Sequence, residues 1–219
     1  MFECDSLLDL SHTIARTLFE KVQYPWEVLP LIKDFILEAA SKLPADEFEV
    51  RDGNIWIHKT AVVFPSAYIK GPCIIGPGTE VRHCAFIRGN ALIGADCVIG
   101  NSTELKNVII FDNVQVPHYN YVGDSVLGFK SHLGAGAITS NVKSDKTLTV
   151  VKYDDIRIET GLKKFGAIVG DHTEVGCGSV LNPGSVIGRN CRVYPLSAFR
   201  GCLPPNSIYK KQGEIAEIR

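Results

Sequence analysis

The feature that most constrains this chain is a period of six. Ile57, Val63, Ile69, Ile75, Val81, Ile87, Ile93, Ile99 and Leu105 stand six residues apart, and all are aliphatic. An α-helix spaces its apolar positions about 3.6 apart, and a strand with one buried face alternates with period two. A period of six suits a coil of short straight strands joined by sharp corners, with one large aliphatic side chain per side pointing inward. A repeat of this length is the sequence signature of a parallel β-helix. Glycine often follows the inward residue, as at Gly76, Gly94, Gly100, Gly128 and Gly188. Its tolerance of φ > 0 suits it to a corner. Pro77-Gly78 and Pro183-Gly184 punctuate turns in the same manner.

The rest of the chain divides around this repeat. Residues 1–48 are read as a helical segment. One stripe runs Leu7, Leu10, Ile14, Leu18, with Asp5 or Ser6 as N-cap, and a second runs Val28, Ile32, Phe35, Ile36, Ala39, Leu43. Two helices are expected, capping the open end of the coil or serving oligomer packing. The coil itself spans 49–205. Its phase slips by one near Ile110 and Val116, and again at Val122, Leu127 and Leu133. Irregular corners on a rigid scaffold are where function tends to sit. The charged stretch at about 142–160 leaves the coil, with Leu148–Val151 expected to pair with Ile156–Ile158 in a hairpin. The pattern resumes at Val169 and closes at Pro204-Pro205. Residues 206–219 are read as a short strand or a disordered tail.

Composition excludes some classes. A formal net charge of −1 over 219 residues argues against nucleic acid and against an anionic membrane surface. No apolar run approaches the ~20 residues of a membrane-spanning helix. The acidic start, Met1 to Asp5, does not read as a signal peptide. Seven scattered cysteines suggest small core or corner residues in a reducing, cytoplasmic setting.

The stretch that could carry chemistry is His118-Tyr119-Asn120-Tyr121-Val122-Gly123-Asp124 followed by Leu133-Gly134-Ala135-Gly136-Ala137-Ile138-Thr139-Ser140-Asn141. With the [LIV]-G-x-x-x-x repeat, it resembles the hexapeptide-repeat acyltransferases. It is closest to the acetyltransferase domain of the bifunctional N-acetylglucosamine-1-phosphate uridyltransferase and its sugar-1-phosphate nucleotidyltransferase relatives. The resemblance implies a mainly β fold, a three-sided left-handed parallel β-helix, and a homotrimer. It implies His118 as general base on an amino-sugar amine. Arg88 and Lys106, eighteen residues apart, would hold the sugar phosphate, and Tyr121 and Asn141 would sit at the amine and sugar. Acetyl-CoA, the implied co-substrate, would lie outside the late coils against Ala135, with His132 and Asn141 beside it. No metal is implied, and no uridyl transfer, because the resemblance does not include the nucleotidyltransferase domain. His132 stands where the family has Asn, and Val142 with the charged excursion replaces the family's Asn-Tyr-Asp-Gly segment.

The residues make chemical sense without the family. Acetyl transfer to an amine needs the neutral amine, and an imidazole with a pKa of about 6.5 can take its proton. Arg88 offers a bidentate fork to a phosphate and Lys106 a point charge. Taken alone, however, a corner histidine also suits solvent, and Arg88 and Lys106 also suit an exposed face. Three histidines in a metal enzyme of the γ-carbonic-anhydrase type would need two of them five apart. His118, His132 and His172 lack that spacing. A non-catalytic trimeric scaffold or sensor that binds a sugar phosphate is the other reading.

Overall fold

The structure is a computed structural model that describes residues 2–211 and 214–217. It is a left-handed parallel β-helix with three sides. The first side stacks Ile55–His58, Cys73–Ile75, Ala91–Ile93, Val108–Ile110, Ser125–Leu127, Ala167–Val169, Ser185–Ile187 and Cys202–Leu203 in parallel register. The second runs from Val62–Val63 through Val98–Asn101, Gln115–His118 and His132–Leu133 to Ser207–Lys211. The third runs from Tyr68–Ile69 through Phe86–Ile87, the start of Glu104–Ile110 and the start of Tyr121–Leu127 to Ala198–Phe199. The six-residue series forms the interior: Ile75, Val81, Ile87, Ile99 and Leu105 are fully buried.

The repeat glycines have a different cause from the one expected. Gly76, Gly94 and Gly100 do not adopt positive φ. They are glycines because the next coil lies directly against them. A Cβ on Gly76 would meet the Gly94 carbonyl oxygen at 2.5 Å, and one on Gly100 would fall far inside 3.0 Å of the Pro117 carbonyl oxygen. Positive φ occurs elsewhere in many corners, at Gly78 and Gly136 and also at Asp or Asn, as at Asp96, Asn113 and Asn190. Their short polar side chains tolerate that region.

Both phase slips have one origin. Glu104–Ile110 and Tyr121–Leu127 run as single strands through the corner between the third and first sides. Asn107 (φ 55°) and Asp124 (φ 47°) make the bend. A six-residue step therefore shortens to five, from Leu105 to Ile110 and from Val122 to Leu127.

The N-terminal segment differs from the two-helix expectation. Cys4–Leu7 and Arg16–Phe19 are single turns, Leu10–His12 is a 3-10 turn, and Ile14 is exposed. Local side-chain bonds win over the helix: Asp9 accepts from the Ser11 N–H at 3.0 Å, and the Thr13 hydroxyl accepts from the Ala15 N–H at 3.1 Å. The second stripe forms as expected, as a 3-10 turn Pro25–Leu31 leading into the helix Ile32–Ala40. The segment caps the coil across its first side instead of over its open end. Ile74, Leu92, Ile109, Val126 and Ile168 point outward on that side, yet each is at most 1% exposed. The helix packs on the strands of Ile74, Leu92 and Ile109, the 3-10 turn on the strand of Val126, Phe19 meets Phe111 edge-on at 5.6 Å, and Trp26 packs on Phe165 at 5.9 Å. Burying each such side chain contributes about 1.5–3 kcal/mol.

At the start of the coil the edge is covered by Phe48–Arg51, antiparallel to Ile55–His58. At the far end Glu214–Glu217 folds back on Ser207–Lys211. The expected hairpin is present, with Val150–Tyr153 pairing to Ile156–Glu159, so its first strand starts two residues later than the sequence suggested. No helix of the described residues is long and apolar enough to cross a membrane.

The cysteines test this packing. Cys84 and Cys177 are exposed, whereas Cys4, Cys73, Cys97 and Cys191 are buried. Burial pushes the Cys97 thiol up to about 12 and the Cys191 thiol up to about 11. Since the thiolate is the reactive form, iodoacetamide in mildly alkaline buffer is expected to label Cys84 and Cys177 on the native protein. Peptide mapping reads the result, and native-state labelling of Cys97 would contradict the packing described.

Candidate active site

The tight corner created by the two slips gathers a polar cluster. Asp124, whose side chain is 6% exposed, receives Lys106 Nζ at 3.2 Å on Oδ2 and Asn107 Nδ2 at 3.0 Å on Oδ1. Asn141 Nδ2 also donates to Asp124 Oδ2. Asn107 Nδ2 donates in addition to the Leu29 carbonyl at 3.0 Å, tying the corner to the N-terminal segment. Asn141 is held in turn by its own carbonyl, which accepts from the Phe165 N–H at 2.9 Å.

Tyr121 lies on the third side beside this group and is bonded to Asn141. Burial raises its hydroxyl above the usual range, and the carboxylates of Asp124 and Glu104 raise it further. The phenol is therefore neutral at ordinary pH and free to donate. Gly123 makes room for it, since a Cβ there would meet the Tyr121 hydroxyl at 2.5 Å and Asn141 Nδ2 at 2.9 Å.

Arg88 stands one coil below Lys106 at the same corner, because Phe86 pairs with Glu104 and Ile87 with Leu105. Its Nη1 reaches Glu104 Oε1 at 2.7 Å, and that carboxylate holds the guanidinium charged. Neighbouring coils lie about 4.8 Å apart. Both cations keep spare donors: Lys106 uses one bond and remains 25% exposed, and Arg88 has five N–H groups in all. Together they can hold one anionic group between consecutive coils.

His118 occupies a different corner, between the second and third sides. Its ring is exposed and has no hydrogen-bond partner among the described residues. Its backbone is fixed: the His118 N–H donates to Asn120 Oδ1 at 3.0 Å, and Asn120 Nδ2 donates to the Gly134 and Ala137 carbonyls at 2.8 and 3.2 Å. Ala135 is at the next level of this corner, where the Gly136 N–H donates to the His118 carbonyl at 2.9 Å. His132 points outward on the second side and pairs with Glu174 at 2.7 Å.

Of the residues singled out from sequence, Lys106 and Asn141 thus meet on Asp124 and Tyr121 bonds Asn141, with Arg88 a coil below. His118 and Ala135 form a separate group, and His132, level with Gln115 at the other end of the same side, joins neither. The width of the third side, three residues or roughly 10 Å, separates the two corners. Asp124, Asn107 and Glu104 were missed as site residues. The five-residue steps were their signal, since those steps mark the corner that Asn107 and Asp124 turn. Among the described residues no three His, Cys, Asp or Glu side chains lie close enough to share a metal ion.

Residues 69–163 match the family described as the GMPPB C-terminal domain. The bifunctional protein GlmU of Methanococcus maripaludis is 34% identical over 180 residues, covering 78% of this chain and 44% of that protein. A bifunctional sugar-1-phosphate nucleotidylyltransferase/acetyltransferase of Sulfurisphaera tokodaii is 32% identical, with 78% and 43% covered. The chain therefore spans less than half the length of these relatives. Among solved structures, an N-acyltransferase from Bacillus cereus in complex with dTDP and 3-hydroxybutyryl-CoA aligns with a TM-score of 0.43 and 18% identity, covering 84% of this chain and 87% of that one.

Proposed function

We propose, for a chain that is a hexapeptide-repeat relative of the GlmU-type bifunctional proteins, that it transfers an acetyl group from acetyl-CoA to the amine of an amino-sugar phosphate or nucleotide sugar. The observation that carries this reading is the stacking of Arg88 and Lys106 on consecutive coils, with Tyr121 and Asn141 alongside. The two cations hold the acceptor's phosphate, and Tyr121 and Asn141 orient the sugar. His118 takes the ammonium proton, the amine attacks the thioester carbonyl, and the C–S bond breaks to release CoA as its thiol. Acetyl-CoA runs past Ala135 and His132. A homotrimer belongs to the same proposal, with a neighbouring subunit closing the gap between the corners, as does a cytoplasmic setting.

CoA-thiol release with glucosamine 1-phosphate and with amino-sugar nucleotides tests the reading. No turnover with any of them would remove it. Lys106→Met is expected to raise KM for a phosphorylated acceptor roughly 10–100-fold, the loss of one charged hydrogen bond. Its kcat should change far less, because the lysine touches the phosphate in ground and transition state alike. An equal loss in KM for an unphosphorylated amino sugar would contradict the assignment.

One observation favours a second reading, a non-catalytic sugar-phosphate-binding scaffold or sensor. Both Arg88 and Lys106 already hold carboxylates of their own chain, Glu104 and Asp124. Saturable binding of a sugar phosphate with no thiol release under any acceptor would select it.

A further inference from the structure

A cavity of about 470 Å³ lies between the hairpin of the excursion and the coil corner above the polar cluster. Its walls carry Lys143, Lys152, Arg157 and Arg200, against one acid, Asp145. Asp145 faces Lys143 at 3.5 Å and also holds Thr147. Lys152, Arg157 and Arg200 have no carboxylate partner among the described residues.

Two features make this more than a solvated basic face. Lys152 and Arg157 are direct cross-strand partners in the hairpin. Like charges placed directly opposite one another destabilise a strand pair, so the hairpin bears a repulsion that an anion between them would remove. The second feature is Thr149, which lines the cavity, is 1% exposed, and has a buried hydroxyl without a hydrogen-bond partner among the described residues. Buried hydroxyls are normally satisfied.

We propose that this cavity binds the diphosphate group of a small-molecule ligand. Four cations from the hairpin, the segment leading into it and the coil corner surround a space larger than one phosphate needs. The net of three positive charges matches a diphosphate better than a monoester. Ser140, on the cavity wall, is two coils above Lys106, because Lys106 pairs with Gly123 and Val122 with Thr139. The separation is roughly 10 Å, so the cavity adjoins the polar cluster at Asn141 but lies beyond the cations Arg88 and Lys106. The proposal stands whether or not the chain transfers acyl groups.

A nucleotide sugar and CoA both carry a diphosphate, and the experiment separates them. Calorimetry on the full chain at low ionic strength is run with inorganic pyrophosphate, inorganic phosphate, a nucleoside-diphosphate sugar and CoA. Pyrophosphate is expected to bind more tightly than phosphate and to compete with the true ligand. Whichever of the nucleotide sugar and CoA it displaces is the source. Arg200→Gln and Arg157→Gln are each expected to weaken binding at least about ten-fold, while Lys33→Ala on the exposed face of the helix leaves it unchanged. Arg157→Gln should also melt no lower than the parent without ligand, since it relieves the Lys152 repulsion. That measurement keeps the test open if Arg200→Gln folds poorly. Absence of saturable diphosphate binding, or affinity equal in the parent and Arg157→Gln, would overturn the proposal.

Discussion

His118→Ala is expected to lower kcat for acetyl transfer about 10²–10⁴-fold, the range a positioned general base supplies. The melting temperature should hardly move. The His118 ring is exposed and bonded to nothing among the described residues, so its removal opens no cavity and leaves no buried group unpaired. The corner is held by the backbone and by Asn120, which the substitution leaves intact. Residual activity is expected, because the two substrates are still brought together. Partial rescue by added imidazole would separate lost proton transfer from lost positioning. A variant that keeps parental kcat would remove His118 from the mechanism, while leaving the phosphate-binding role of Arg88 and Lys106 open.

Gly100→Ala is expected to be the most damaging single methyl in the coil. Surface glycine-to-alanine changes often stabilise a chain by restricting its unfolded state. Here the added Cβ would fall far inside 3.0 Å of the Pro117 carbonyl oxygen, which is backbone and cannot swing aside. The coils would have to part next to Val116, which is buried, and His118, which the same strand carries. A loss of about 3 kcal/mol or more is expected, the upper range for overpacking, read as the drop in denaturant midpoint. Gly161→Ala is the control for backbone conformation alone. Gly161 has φ +68° and nothing within 4 Å of an added Cβ, so its cost is conformational and smaller. Equal costs at the two positions would show that coil-to-coil contact is not what selects glycine at Gly100.

The coil was legible because its physics is local and repeated. One inward aliphatic per side, set six apart, leaves a mark that no helix or two-sided strand produces. The covered side was legible too. Ile74-Ile75, Leu92-Ile93, Ile109-Ile110, Val126-Leu127 and Ile168-Val169 are apolar on both faces of the strand, as strands buried on both sides are. Those doublets announce that something packs on the first side. The failure at residues 5–18 had a different origin. A stripe at helical spacing was present, but the Asp9 and Thr13 side chains accept from backbone N–H groups two residues on, and periodicity counts do not register that competition.

By itself, then, the sequence determined that the chain winds in a coil of short strands and sharp corners, where its period breaks, and which cation, phenol and amide types lie near those breaks. Only the tertiary structure decided that Lys106, Asn107 and Asn141 converge on Asp124, that His118 stands at the opposite corner of the same side, and that three cations of the excursion and one of the coil surround a cavity. The reason is one of range. The period records the short contacts each coil makes with itself. Which corner residues face one another depends on how coils and the excursion stack, through pairings such as Lys106 with Gly123 and Lys152 with Arg157 that leave no periodic trace along the chain.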